Sequence, residues 1–181
     1  FAIAYLATVG LGAVAVPLNP ASPGPELQSE LAVVDPRVVV VDKLGAANWS
    51  QVDRAAVPSI EVTVTTEPVT TEPVTTEPVT TEPVDAEIGA GAPVTVAFDD
   101  LLAASPLDVV EVDTGHLAAL MFTSGTAGSP RAAMLTHGNL QSNLDQSLSA
   151  DGHIDASDVI FGVLPLFHIF GLNVVIGLGL C

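Results

Sequence analysis

The apolar positions of this 181-residue chain fall into short runs separated by Gly, Pro and polar clusters, and each run's period and borders predict an element. Ala2–Thr8 reads as the end of a helix, broken at Gly10 and Gly12 before the brief apolar run Ala13–Val16, which Pro17 terminates. Asn19–Pro25 is a loop, Glu26–Val33 a short helix closed by Pro36, and Val38–Asp42 a β-branched run of the kind buried on both faces of a sheet. A strand near Ser59–Val64, a short helix over Phe98–Ala104 opening at Asp99 or Asp100, and an apolar strand over Leu117–Phe122 follow. Thr136 and His137 open another helix, with Asn139 and Gln141 on its first turns. Val159–Val163 reads as a buried strand, Pro165–Gly171 as a loop, and Leu172 onward as a buried helix. Helices alternating with buried strands define an α/β domain.

One stretch departs from this rhythm. Thr65–Val84 holds the pentad Thr-Thr-Glu-Pro-Val four times in register. Proline at every fifth position removes a backbone donor and blocks both helix and ladder, and the repeated Glu adds repulsion, so an irregular, exposed excursion is expected. The chain therefore divides into 1–64, a low-complexity, disordered insert with its flank at 65–97, and 98–181.

Composition narrows the function. Hydrophobic residues make up 49% of the chain, enough for a core, and a formal charge of −17 from 21 acidic against 4 basic residues argues against nucleic-acid phosphates or anionic lipid as partners. A single cysteine, Cys181, permits neither an internal disulfide nor a thiolate cluster and fits a reducing, cytoplasmic setting. The chain begins without Met inside one apolar run and stops inside another, as a fragment would. Segments 1–18 and 159–181 also raise a membrane reading. The second holds no charged residue, but Pro165, His168, Asn173 and several glycines interrupt it and no Lys or Arg flanks it, so no stable membrane span is expected.

The chemistry concentrates in Met121–Asn139. A strand running into Thr123, Ser124, Gly125, Thr126 and Gly128 offers hydroxyls and a pliable backbone whose N–H groups can converge on an anion, and Arg131 adds a cation. No Gly-Lys-Ser/Thr follows and Pro130 stands where a Walker helix would begin, so this is not a P-loop of that type. Composition alone favours a plain connection between strands.

The segment resembles the phosphate-loop signature Thr-Ser-Gly-Thr-Thr-Gly-x-Pro-Lys-Gly of the adenylate-forming superfamily, which includes the acyl-CoA synthetases. Leu164-Pro-Leu-Phe-His-Ile-Phe-Gly-Leu172 is similar to that family's Pro-Leu-Phe-His-x-x-Gly block, and Val9-Gly-Leu-Gly-Ala-Val-Ala-Val-Pro-Leu-Asn19 to its early Gly-Ala-rich block. Ala127, Arg131 and Ala132 depart from the pattern, standing for Thr, Lys and Gly. The resemblance implies an incomplete N-terminal part of the ligase fold. The activity it implies is two-step: a carboxylic acid, a fatty acid foremost, attacks Mg2+-ATP to give acyl-adenylate and pyrophosphate, and coenzyme A or a carrier-protein thiol displaces AMP. It also implies that Thr123, Ser124, Gly125, Thr126, Gly128 and Arg131 hold the outer phosphates and that His168 lines the acyl and adenylate site. The other reading of His168 is a satisfied loop histidine. His116 and His153 have no readable partner. The family's adenine pocket, magnesium-binding acid and catalytic Lys fall beyond the residues matched, and Lys43 is the one lysine here. The fragment alone is then expected to be catalytically incompetent, with a non-catalytic relic or a membrane protein anchored by segments 1–18 and 159–181 as the alternatives.

Overall fold

The computed structural model describes residues 1–67, 94–123, 130–150, 155 and 157–181. Two small sheets organise it. The first is parallel, in the order β1 (Val38–Val41), β2 (Val62–Thr65), β3 (Val94–Ala97), with Val38 opposite Val62 and Val62 opposite Val94. The second is an antiparallel pair, β4 (Leu117–Thr123) with β5 (Arg131–Thr136), in register from Ala119 opposite Leu135 to Thr123 opposite Arg131, with a register shift between Ala119 and Leu117, which stands opposite Thr136.

Helices cover these sheets unevenly. α1 (Ala2–Gly10) ends at a turn in which Gly12 takes φ 70°, a region that favours glycine, and Gly12's carbonyl accepts a 2.8 Å bond from the His116 ring. α2 (Gly24–Val34) carries Pro25 in its first turn, where the missing N–H costs nothing, and closes on Asp35 in the left-handed region. Its Leu27 and Leu31, one turn apart, pack on Val52, Val57 and Ile60 below the parallel sheet. α3 (Ala46–Trp49) and α4 (Phe98–Leu102) are single turns. α5 (His137–Leu148) starts at Thr136, whose hydroxyl accepts from the Asn139 amide while the Asn139 side chain accepts from Thr136 N–H, a reciprocal cap. A π-helix, Phe170–Gly177, runs into α6 (Leu178–Leu180) and seats Leu172 and Ile176 against Ala119 and Met121 of β4.

The α/β class holds, and several expectations are corrected. β1 is not buried on both faces: Val38 and Val40 are 53% and 47% exposed. It is an edge strand whose Val39 packs on the α2 core while the alternate face is bare, so the all-valine run conceals a half-buried alternation. Val159–Val163 forms no strand, and Val159 and Phe161 are 94% and 85% exposed. Apolar β-branched sequence does not make a strand without a neighbour to pair with, and none of the described strands lies beside it. α4 opens from Ala97, with Asp99 and Asp100 inside its first turn, where acids complement the helix dipole. The span assigned to the disordered insert supplies ordered residues at both borders, Thr65 in β2 and Val94–Ala97 as β3, because each extends a ladder that the parallel sheet already provides. The rest of the insert, 68–93, lies outside the described residues. No helix among the described residues is long and apolar enough to cross a membrane.

Leu172 is 1% exposed at the joint between the π-helix and β4. Leu172→Ala should cost about 2–5 kcal/mol, as deletion of a fully buried leucine does, against less than about 0.5 kcal/mol for Leu107→Ala at a site 77% exposed. Urea midpoints of the two variants check it.

Candidate functional site

The strand β4 alternates between core and surface until its last residue. Ala118, Ala119 and Met121 are buried, Phe122 is half-buried and Thr123 is exposed. Burial therefore ends where the hydroxyl residues begin. Thr123 pairs with Arg131, the first residue of β5, and its hydroxyl donates to the Arg131 carbonyl at 3.3 Å. The hairpin thus brings Thr123 and Arg131 to one end of the antiparallel pair. Ser124, Gly125, Thr126 and Gly128 lie outside the described residues. Arg131 is exposed and, among the described residues, makes no ion pair; the bidentate pair Arg37–Glu61, at 2.9 and 2.7 Å, sits on the other sheet.

His168 reaches the same neighbourhood from a different element. Its N–H donates to Pro165 carbonyl at 3.0 Å, its carbonyl accepts from Leu172 N–H at 2.9 Å, and its Nδ1 accepts from Phe170 N–H at 3.3 Å. A ring nitrogen that accepts carries no proton in the neutral form, so the proton resides on Nε2, which is left to meet a ligand. A β-carbon added at Gly171 would collide with Pro165 carbonyl, so glycine is what allows the turn to close under the ring. His168 is exposed, and its bond from Phe170 N–H is one that a satisfied loop histidine also makes.

An open cleft of about 600 Å³ joins these parts. Thr123 and Phe122 of β4, Leu135 of β5, and Phe167 and His168 line it, together with α2 and the segment before it. Arg131 is not among its walls. Hydrophobic periodicity gave no hint that α2 takes part. Asn19, buried Ser22, Glu26 and Glu30 face the same space. The legible signal was Glu26 and Glu30 at i and i+4, a like-charge pair on one face of a helix without a basic partner. Glu30 Oε2 is sealed from solvent and has no hydrogen-bond partner among the described residues. Burial first, and then the Glu26 carboxylate one turn earlier, push the Glu30 carboxyl up to about 7. Of the remaining histidines, His116 braces the Gly12 turn and lies 6.0 Å from His137, whose Nε2 is buried without a partner, while His153 lies outside the described residues. Both described rings sit outside the cleft walls.

Residues 1–181 match the family model for the AMP-binding enzyme. The chain belongs to that family. It is 30% identical over 186 residues to 4-coumarate–CoA ligase 5 of Oryza sativa subsp. japonica, a match covering 99% of this chain and 29% of that protein. Among solved structures it resembles ATP-bound MatB from Rhodopseudomonas palustris, with TM-score 0.66, 26% identity, and 99% of this chain on 30% of that one. It also resembles the anthranilate CoA ligase AuaEII in complex with anthranoyl-AMP, with TM-score 0.71, 22% identity, and 93% on 29%, a likeness of fold. The chain spans about 30% of the length of these relatives and corresponds to an N-terminal region of the adenylate-forming ligase fold. Ligases of the AMP-binding family use a carboxylic acid, ATP and coenzyme A.

The state of Glu30 sets a pH dependence of stability. Its folded carboxyl titrates at about 7 against 4.5 ordinarily, so the folded chain holds a proton that the unfolded chain releases, and stability falls as pH rises from 4.5 through 7. Glu30→Gln should match the parent at pH 4 and exceed it at pH 8.5 by about 1 kcal/mol, the full conversion being discounted because the group is half exposed and screened. Paired urea denaturations at the two pH values measure the difference.

Proposed function

We propose that this chain is the phosphate-loop part of a longer ATP-dependent acid–thiol ligase, which activates a carboxylic acid as its acyl-adenylate and passes it to coenzyme A or to a carrier-protein thiol. The observation that carries this reading is the meeting of Thr123 and His168 on one cleft, with Arg131 at the hairpin end beside Thr123. A fatty acid and an arylacrylic acid are the acyl substrates favoured. The largely apolar walls, Leu18, Met121, Leu135 and Phe167 among them, suit either. A cytoplasmic setting accords with the one cysteine.

In this reading Ser124, Gly125, Thr126 and Gly128 present hydroxyls and backbone N–H groups to the outer phosphates, and Arg131 contributes charge. The reacting carboxylate oxygen and the α-phosphorus meet on the cleft that Thr123 and His168 line. The acid's oxygen attacks the α-phosphorus, the bond to the β-phosphate oxygen breaks, and pyrophosphate leaves with charge that Arg131 and the loop hydroxyls stabilise. His168 Nε2–H donates to an oxygen of the acid and holds it in line. A thiolate then attacks the acyl carbon and AMP departs. Magnesium is implied by the ATP chemistry and is ordinarily held by one or two carboxylates together with the phosphates themselves; among the described residues no three His, Cys, Asp or Glu side chains gather.

Arg131→Ala should raise the KM for ATP about ten- to hundredfold, the loss of a charge-assisted contact of about 1.5–3 kcal/mol, and leave the KM for the acid nearly unchanged. His168→Ala should disturb the acid-dependent step more than the KM for ATP. Acid-dependent ATP–pyrophosphate exchange in the full-length ligase, with ATP and a panel of fatty and aromatic acids varied separately, separates the two. The 181-residue chain alone should give no exchange. An unchanged ATP dependence in Arg131→Ala would reduce that residue to a surface cation.

A further inference from the structure

The cleft contains a carboxyl group that the ligation scheme leaves idle. Glu30 lines it from the middle of α2, on the same space as Thr123 and His168. Most of its neighbours there are apolar, and its Oε2 has neither solvent nor a hydrogen-bond partner among the described residues. An oxygen so placed is costly when ionised, because a desolvated charge without a donor forfeits hydration and gains nothing in return. The other titratable groups on the cleft are Glu26, one turn earlier on α2, and His168 from the turn before the π-helix. The walls from β4 and β5, such as Met121, Thr123 and Leu135, carry no titratable side chain, nor do Asn19 and Ser22 ahead of α2. Among the described residues no Lys or Arg lines the cleft to offset the two glutamates. Glu30 therefore faces one repelling neighbour and a low-polarity surround, and both favour its protonated form.

A protonated carboxyl is a donor, and an ionised one only accepts. The substrate acid, with an ordinary carboxyl pKa, is ionised throughout the neutral range and needs donors. We propose that Glu30 is a recognition residue of this cleft, which donates a hydrogen bond to the substrate's carboxylate when protonated and repels that carboxylate when ionised. The proposal rests on the reading that the cleft receives a carboxylic acid. Its consequence is a proton-linked affinity. The acid and a proton bind together, so affinity is greatest on the acidic side of the Glu30 titration, near 7, and falls as pH rises through it. Burial chiefly sets the position of that fall, and the negative charge of Glu26 raises it further. His168 lines the same cleft and offers a second donor there.

Binding of two monocarboxylate probes, hexanoate and cinnamate, to the 181-residue chain by calorimetry between pH 5.5 and 8.5 tests this. The parent chain should bind at least tenfold more weakly at pH 8.5 than at pH 6. Glu30→Gln, isosteric and always neutral, should lose the fall when it is read in a His168→Gln background, where the imidazole cannot contribute. Glu26→Gln should retain the fall but shift its midpoint to lower pH, and His168→Gln should weaken binding while retaining a fall with pH. An identical pH profile in the parent and in Glu30→Gln would overturn the role of Glu30 while leaving the acid site intact. Absence of binding by the parent chain to either probe at any pH would overturn the acid site itself.

Discussion

The pairing of β4 with β5 is the constraint on which the remaining arrangement depends. Six residue pairs, from Leu117 with Thr136 to Thr123 with Arg131, fix where the strand ends, and therefore which residues emerge from the core together. The same register places Thr136 where it caps α5 and holds Ala119, with no exposed surface, under Leu172 of the π-helix. The chain's beginning is tied to this pair as well, since Ala15 forms a parallel bridge to Ala119, its N–H donating to Ala118 carbonyl at 2.9 Å and its carbonyl accepting from Leu120 N–H at 2.9 Å. That bridge sets Pro17–Asn19 against β4 and so allows α2 to form a wall of the cleft. A one-residue slip in the β4–β5 ladder would turn Ala119 and Met121 outward and dismantle both the core contact and the cleft.

Charge shapes the site locally rather than globally. A chain of net charge −17 repels a nucleotide triphosphate at long range, yet at physiological ionic strength the Debye length is about 8 Å, so distant carboxylates are largely screened while a contacting guanidinium is not. Arg131, one of four basic residues, stands at the hairpin end. Arg37 is engaged with Glu61, and Arg54 lies over the Trp49 ring at 4.5 Å and bonds to Thr63 at 3.2 Å. The two acids on the cleft lie on α2, and the cation beside Thr123 lies at the hairpin end. A ligand with phosphates and a carboxylate is thereby offered different chemistry by different elements.

Much of this was legible in the residues, for reasons that can be stated. Leu117–Phe122 reads as a strand because its apolar run ends abruptly at hydroxyl residues, and the Thr136 cap reads as a helix start because Asn139 follows three positions later. Glu26–Val33 is bounded by prolines at both ends. Where the reading missed, long-range pairing decided the outcome. Arg131–Thr136 looks like the tail of a loop, with a proline before it and a mixed sequence, and becomes β5 only because β4 supplies its partners. Val94–Ala97 sits beside a low-complexity repeat and is a strand because β2 offers an edge. Val159–Val163 has the stronger strand composition of the two and remains unpaired. The like-charge spacing of Glu26 and Glu30 was legible, but its place on a cleft was not, because nothing in the local pattern of α2 says what stands opposite its polar face.

The claim at the centre of the account is that the β4–β5 hairpin end grips the outer phosphates of ATP. Phosphorus NMR of ATP and of AMP, each titrated with the 181-residue chain and with Arg131→Ala, tests it directly. The account predicts that the β- and γ-phosphorus resonances of ATP shift on addition of the parent chain, that the shift is lost or much reduced with Arg131→Ala, and that AMP is scarcely perturbed. Equal perturbation of ATP and AMP, or shifts of ATP that are the same with Arg131→Ala, would contradict it.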